Sequence, residues 1–184
     1  YGLWPPNYDL TDGTQRSLNA GQKYLWKCWT HLPTWLGEQH TNVVAIVLNG
    51  DLVDGKQQAQ RGLEAMTVNP VEQARAFRRA MEACLSLLPT PTRPRLFVVQ
   101  GTEYHDHRGG TAVEGIAEAL GAEEFDGTGI GRFSREVLDL DIGGITLNFL
   151  HGISATTGLY RAVAIDREAL WSALVGKEGK APKA

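Results

Sequence analysis

The sequence predicts a mixed α/β domain whose strands end in polar residues at one rim. Three apolar runs carry that prediction: residues 43–48, 95–100 and 145–150. The first runs into Asn49-Gly50-Asp51-Leu52-Val53-Asp54-Gly55, and the second into Gly101-Thr102-Glu103-Tyr104-His105-Asp106-His107. The third runs into His151-Gly152. Each strand thus releases a carboxylate or an imidazole at its C-terminal end, which is how an α/β sheet assembles a polar site.

Taken in order, residues 1–13 are irregular, with Pro5-Pro6 and Asp12-Gly13 as turn formers. Residues 14–37 carry apolar side chains at helical spacing (Leu18, Tyr24, Leu25, Cys28, Trp29, Leu32), and Pro33 is expected to interrupt that helix near its end. The run 43–48 does not alternate, which predicts a central strand covered on both faces. A Gln- and Gly-rich connection, 55–68, leads to Asn69-Pro70, an N-cap followed by proline at the first helical position. That helix continues through Ala74, Phe77, Met81 and Leu85, and Pro89 marks its end.

A stiff loop, 90–94, precedes the second strand. Gly109-Gly110 opens a short helix over 111–120, stopped by Gly121. Residues 137–142 alternate like a half-exposed strand, and Gly143-Gly144 turns them into the third apolar run. A last helix is expected over 160–174, followed by a small, basic, mobile tail.

A chain of 184 residues is most economically one domain with a sizeable core. The net charge of −3 gives no support to a dedicated nucleic-acid binder, although metal ions in a nuclease would offset local negative charge. No apolar stretch approaches the ~20 residues needed to span a bilayer, so no membrane partner is expected. Cys28 and Cys84 lack zinc spacing and read as reduced, mostly buried thiols, implying a cytoplasmic protein. Trp4, Trp26, Trp29 and Trp35 are read as core packing in preference to an interface, and the oligomeric state is left open.

Asp51 is the first candidate. A carboxylate at a strand end suits a hard divalent cation, although a turn-forming Asp that caps its own backbone looks the same in sequence. Asp54 orients the site or simply bonds its loop. His105, beside Asp106, is a candidate proton donor, because imidazole changes charge near neutral pH. His151, before Gly152, can ligate a metal through one nitrogen, the alternative being a satisfied rim residue. His31 and His40 read as solvated, His107 is ambiguous, and Tyr104 reads as packing. Gly127-Thr128-Gly129-Ile130-Gly131 looks like a phosphate loop but precedes a strand-like segment, where no helix N-terminus can serve it.

Together these segments resemble the calcineurin-like metallophosphoesterase family, whose motifs run D-x-H, G-D-x-x-D, G-N-H-D/E, H and G-H-x-H. Gly50-Asp51-Leu52-Val53-Asp54 matches the second motif position for position. Gly101-Thr102-Glu103-Tyr104-His105-Asp106 resembles the third with two extra residues, and His151-Gly152 resembles the fourth. The resemblance implies a β-sandwich flanked by helices, with two divalent metals (Mn, Fe or Zn) at the strand ends. It makes Asp51 the bridging carboxylate, His151 a ligand of the second metal, and His105 the general acid steadied by Asp106. Thr102 or Glu103 stands where the family has its Asn ligand.

No D-x-H precedes Asp51 and no G-H-x-H follows His151. The domain, 1–184, is therefore read as incomplete, truncated at both ends, or else as a degenerate relative. One metal or none is expected in this chain, with poor activity as it stands. The function implied is a metal-dependent phosphoesterase acting on a phosphomonoester or phosphodiester, nucleotide or nucleic acid included. The alternative is a non-catalytic binding or assembly module that keeps the fold.

Overall fold

The computed structural model describes residues 3–39, 43–56, 65–88, 94–106, 111–125 and 132–152, with Glu103 and Thr111 described by backbone alone. Helix α1, Ala20–Glu38, starts later than residue 14 because Asn19 caps it. The Asn19 side chain accepts from Gln22 N–H at 2.9 Å, and the Gln22 side chain accepts from Asn19 N–H at 3.1 Å. This reciprocal pair satisfies two donors that a helix start leaves open. Pro33 does not interrupt α1 as expected. It lies buried inside the helix, and that burial offsets the single main-chain bond a proline removes. The Trp29 indole donates to the Ala80 carbonyl at 2.8 Å, fastening α1 to the next helix.

Strand β1, Ala45–Asn49, is followed by helix α2, Pro70–Leu85, and strand β2, Arg95–Val99. Asn69 caps α2 through Val71 N–H, with Pro70 in the first turn, as the sequence predicts. Strands β1 and β2 pair in parallel from Ala45↔Arg95 to Asn49↔Val99, so α2 is the crossover that parallel pairing needs. A short helix α3, Glu103–Asp106, and helix α4, Thr111–Leu120, then lead to β3, Ser134–Arg135, which pairs in parallel with β2. Strands β4, Val137–Ile142, and β5, Ile145–Leu150, form an antiparallel hairpin. Its turn residues Gly143 and Gly144 have φ of 62° and 81°, the doubly left-handed geometry that matches strand twist.

Strand β2 is the organising element. Leu96 and Val98 share a cluster with Met81, Val113, Ile116 and Leu120, while Phe97 and Val99 share another with Leu138 and Leu140. Successive side chains of a strand point to opposite faces, so helices cover one face of the sheet and the hairpin covers the other. Burying each of these side chains contributes about 1.5–3 kcal/mol. The architecture is thus mixed α/β, as the sequence predicts.

Burial corrects four expectations. The run 43–48 is not the central strand: β1 lies at the end of the described sheet, packs on both faces through Ile46 and Leu48 on one side and Ala45 and Val47 on the other, and is only half-buried, while β2 takes the central place. The third apolar run is exposed over much of β5, with Ile145 65% accessible, because the core contacts of the hairpin come chiefly from Leu138 and Leu140. Cys28 is exposed, unlike buried Cys84, and Trp35 is exposed where packing was expected. The N-terminal segment instead supplies Trp4, Tyr8, Leu10 and Leu18, which pack on Ala76. The predicted 160–174 helix, the basic tail, the 127–131 glycine loop, His40 and His107 lie outside the described residues. Among the described residues no helix is long and apolar enough to cross a membrane.

Candidate active site

Where β1 ends, Gly50 and Asp51 both adopt left-handed backbone, with φ of 73° and 51°. An Asp pays for that conformation in strain, which is tolerated where surrounding structure fixes it. Here the fixing groups come from the loop after β2. Thr102 N–H and hydroxyl donate to Asp51 Oδ1 at 2.8 and 2.9 Å. Thr102 thus orients Asp51.

The opposite oxygen of Asp51 faces two imidazoles. His151 Nε2 lies 2.9 Å from Oδ2, and His105 Nε2 lies 3.9 Å from the same atom. Each ring is held from behind by a main-chain carbonyl: His151 Nδ1 by Asn49 at 2.7 Å, and His105 Nδ1 by Asp54 at 3.1 Å. A carbonyl oxygen only accepts, so each Nδ1 carries the proton and each Nε2 is left to face Asp51. The structure therefore brings Asp51, Thr102, His105 and His151 to one rim, from three strand ends.

Asp106 has another task than steadying His105. It is buried, 1% accessible, and accepts from Leu52 N–H at 3.1 Å and from Gly101 N–H. It ties the loop after β1 to the loop after β2. The group that steadies His105 is the Asp54 carbonyl, while the Glu103 side chain lies outside the description. Tyr104 packs edge-on against the His105 ring with its outer side exposed, a packing role at the rim of the site. His31 is exposed on α1, as its reading as solvated requires. Two glycines make the assembly fit. A Cβ on Gly50 would run into the His151 ring, and one on Gly101 would run into Asp51 and Asp106.

Charge follows from this geometry. Burial alone would push Asp51 up, but the hydrogen bonds from Thr102 and His151 and the nearby His105 outweigh it and hold the carboxyl below its ordinary value. For His151, burial would lower the value, yet the Asn49 carbonyl, the bond to Asp51 and the charges of Asp51 and Asp106 raise it. Asp106 is pushed up, first by burial and also by the Asp51 charge, against the pull of its backbone donors. Beside these groups lies a cavity of about 200 Å³ bordered by Trp4, Asp51, Asp54 and Phe77.

No protein-family model, curated protein or solved structure matches this chain. Among the described residues no group of three or more His, Cys, Asp and Glu is arranged to hold a metal ion. Two donors nevertheless suit one. Ligand atoms about 2.1 Å from an octahedral cation lie about 3 Å apart, close to the 2.9 Å between Asp51 Oδ2 and His151 Nε2. A histidine anchored through Nδ1–H to a carbonyl is the usual outer support of a metal ligand. The 2.9 Å distance is also that of the hydrogen bond between these two atoms, so the site offers two candidate ligands with no third arranged beside them among the described residues.

The sequence pattern missed the anchoring groups. The carbonyls of Asn49 and Asp54 belong to the backbone and leave no side-chain signature. Thr102, placed by the resemblance near the family's Asn ligand position, acts here as a double donor to Asp51.

Proposed function

We propose that this chain is a metal-dependent phosphoesterase of the metallophosphoesterase kind, built on a helix-flanked sandwich and acting on a phosphomonoester or phosphodiester. The observation that carries the reading is the convergence of Asp51, His105 and His151, with both imidazoles anchored so that Nε2 faces one point. Asp51 and His151 would hold a divalent cation such as Mn²⁺, which when bound neutralises phosphate charge and lowers the pKa of a water ligand.

The chain's own residues do the rest. Thr102 fixes the Asp51 carboxylate, and Asp106 fixes the two loops that bear it. His105 is only partly covered, and its Nε2 is 3.9 Å from Asp51, beyond hydrogen-bond range. As water adds to phosphorus and sheds a proton to solvent, and the P–O bond breaks, protonated His105 gives its Nε2 proton to the leaving oxygen. Its Nδ1–H stays on the Asp54 carbonyl, so the ring keeps its aim through the transfer. General acid catalysis of this type supplies about 10²–10⁴ in rate.

The test is Mn²⁺-dependent hydrolysis of bis(p-nitrophenyl) phosphate. Asp51→Asn is expected to abolish the activity and His105→Ala to lower it by about 10²-fold or more. Activity unchanged in both variants would sink the reading. A second reading, a non-catalytic module that keeps this fold, is favoured by the lack of a third His, Cys, Asp or Glu donor among the described residues. A parent chain without Mn²⁺-dependent turnover would select it.

A further inference from the structure

A second cavity, of about 520 Å³, opens between α2 and α4, away from the paired imidazoles. Its α2 wall comes from Pro70, Val71, Ala74, Arg75 and Arg78, positions that fall on one stripe of a helix. Its α4 wall is Ala112, Gly115 and Ile116, and Lys56 closes one end. The chain as a whole carries a net charge of −3, yet the charged side chains lining this cavity are the cations Lys56, Arg75 and Arg78. Both arginines are half-exposed and each has one long ion contact, 3.4 Å to Glu72 and to Glu82 respectively. Such partly exposed pairs are weak, and they leave the remaining guanidinium donors for a ligand.

Gly115 lines this space on the α4 side. It sits inside α4 with ordinary helical backbone, where glycine is less favourable than alanine, and a Cβ there would meet nothing within 4 Å. Neither a turn nor a close packing contact calls for glycine at this position. The effect of its missing side chain is volume between two packed helices.

We propose that the α2–α4 cavity is a binding site for an organic anion, a phosphate, sulfonate or carboxylate head carried on an apolar body. The head pairs with Arg75, Arg78 and Lys56, and the body lies along Val71, Ala74, Ala112 and Ile116. The size suits a small-molecule ligand. The site stands whether or not Asp51 and His105 perform hydrolysis. It is mechanically joined to them, because Gln73 of α2 clamps Gly55 from both sides, at 2.9 Å to its N–H and 2.8 Å to its carbonyl.

Two fluorescent probes with one body test the proposal: 8-anilinonaphthalene-1-sulfonate, and uncharged N-phenyl-1-naphthylamine. Titration of the full chain is expected to show the sulfonate binding at least about tenfold tighter than the neutral probe. Arg78→Glu should weaken the sulfonate by about tenfold or more, as loss of a charge-assisted contact does. Gly115→Leu, which fills the cavity and has room to fold, should abolish binding of both probes there. Asp51→Asn should leave both unchanged, which separates this site from the phosphoesterase reading. Equal affinity for the two probes, or sulfonate binding indifferent to Arg78→Glu and Gly115→Leu, would overturn it.

Discussion

Asp51, two residues past β1, and Asp106, at the end of α3, each accept a main-chain hydrogen bond from the other's segment, and the two carboxylates have opposite fates. Asp51 receives Thr102 and keeps its second oxygen for the imidazoles, with 30% of its side chain accessible. Asp106 receives Leu52 and Gly101 and is sealed at 1%. One carboxylate is spent on holding the loops together, and the other is presented because the first holds them. Carboxylate chemistry here is divided by burial between two residues of one type.

The largest expected effect breaks the buried side of that pair. Asp106→Ala leaves the Leu52 and Gly101 donors without their acceptor in a dry site, at a cost of about 3 kcal/mol of unfolding free energy. Urea denaturation measures it. Asp51→Asn, which keeps an acceptor for Thr102, should change stability by less than about 1 kcal/mol while removing any Mn²⁺-dependent turnover. Equal destabilisation by the two substitutions would erase the distinction. Next in size is Gly50→Ala, which forces a Cβ toward the His151 ring on a left-handed backbone, at about 2 kcal/mol. It should displace His151 and leave the Asp106 clamp intact, so hydrogen exchange at Gly101 should stay protected.

Much of the scaffold was legible from side-chain pattern. Asn69-Pro70, Gly143-Gly144 and the three strand ends each have a local physical signature, and each is found where that signature places it. Burial was less legible. An apolar run reads the same at the edge of a sheet and at its centre, so β1 and β5 were expected to be more covered than they are. Pro33 shows the converse, a local rule overridden because its ring is buried within α1. In the site, the gathering of Asp51, His105 and His151 followed from polar residues placed after three strand ends, whereas the division between Asp51 and Asp106 did not. It depends on which carboxylate faces inward, and adjacency to His105 pointed the wrong way.

Acid titration sharpens the comparison at smaller energies, in EDTA so that no cation intervenes. Asp51 is held below its ordinary 3.8 in the folded chain, so its stabilisation is present above pH 3.8 and is lost as pH falls through the lower folded value. Asp106 is raised above 3.8, so its stabilisation is largest below pH 3.8 and is reduced as pH rises through the folded value, where the loop bonds persist but the buried charge opposes them. The stability difference between parent and Asp51→Asn should therefore shrink toward low pH. That between parent and Asp106→Asn should shrink in the other direction. His151, raised above 6.5, adds stability that is complete below pH 6.5 and fades as pH rises through its folded value. Parallel trends for the two aspartates would show that burial does not separate them.

The smallest effect isolates the bond that presents Asp51. Thr102→Val deletes the 2.9 Å hydroxyl bond and keeps the 2.8 Å backbone donor, so it should cost only about 0.5 kcal/mol. It should also let the Asp51 carboxyl move back up toward its ordinary value, which carboxyl NMR titration reads directly. In an Asp51→Asn background the acceptor is no longer charged, and the same substitution should cost less. The coupling between the two positions is then the measured contribution of the threonine hydroxyl to a charged carboxylate. Zero coupling would mean that the backbone N–H alone holds Asp51, and that threonine at this position does nothing that alanine could not.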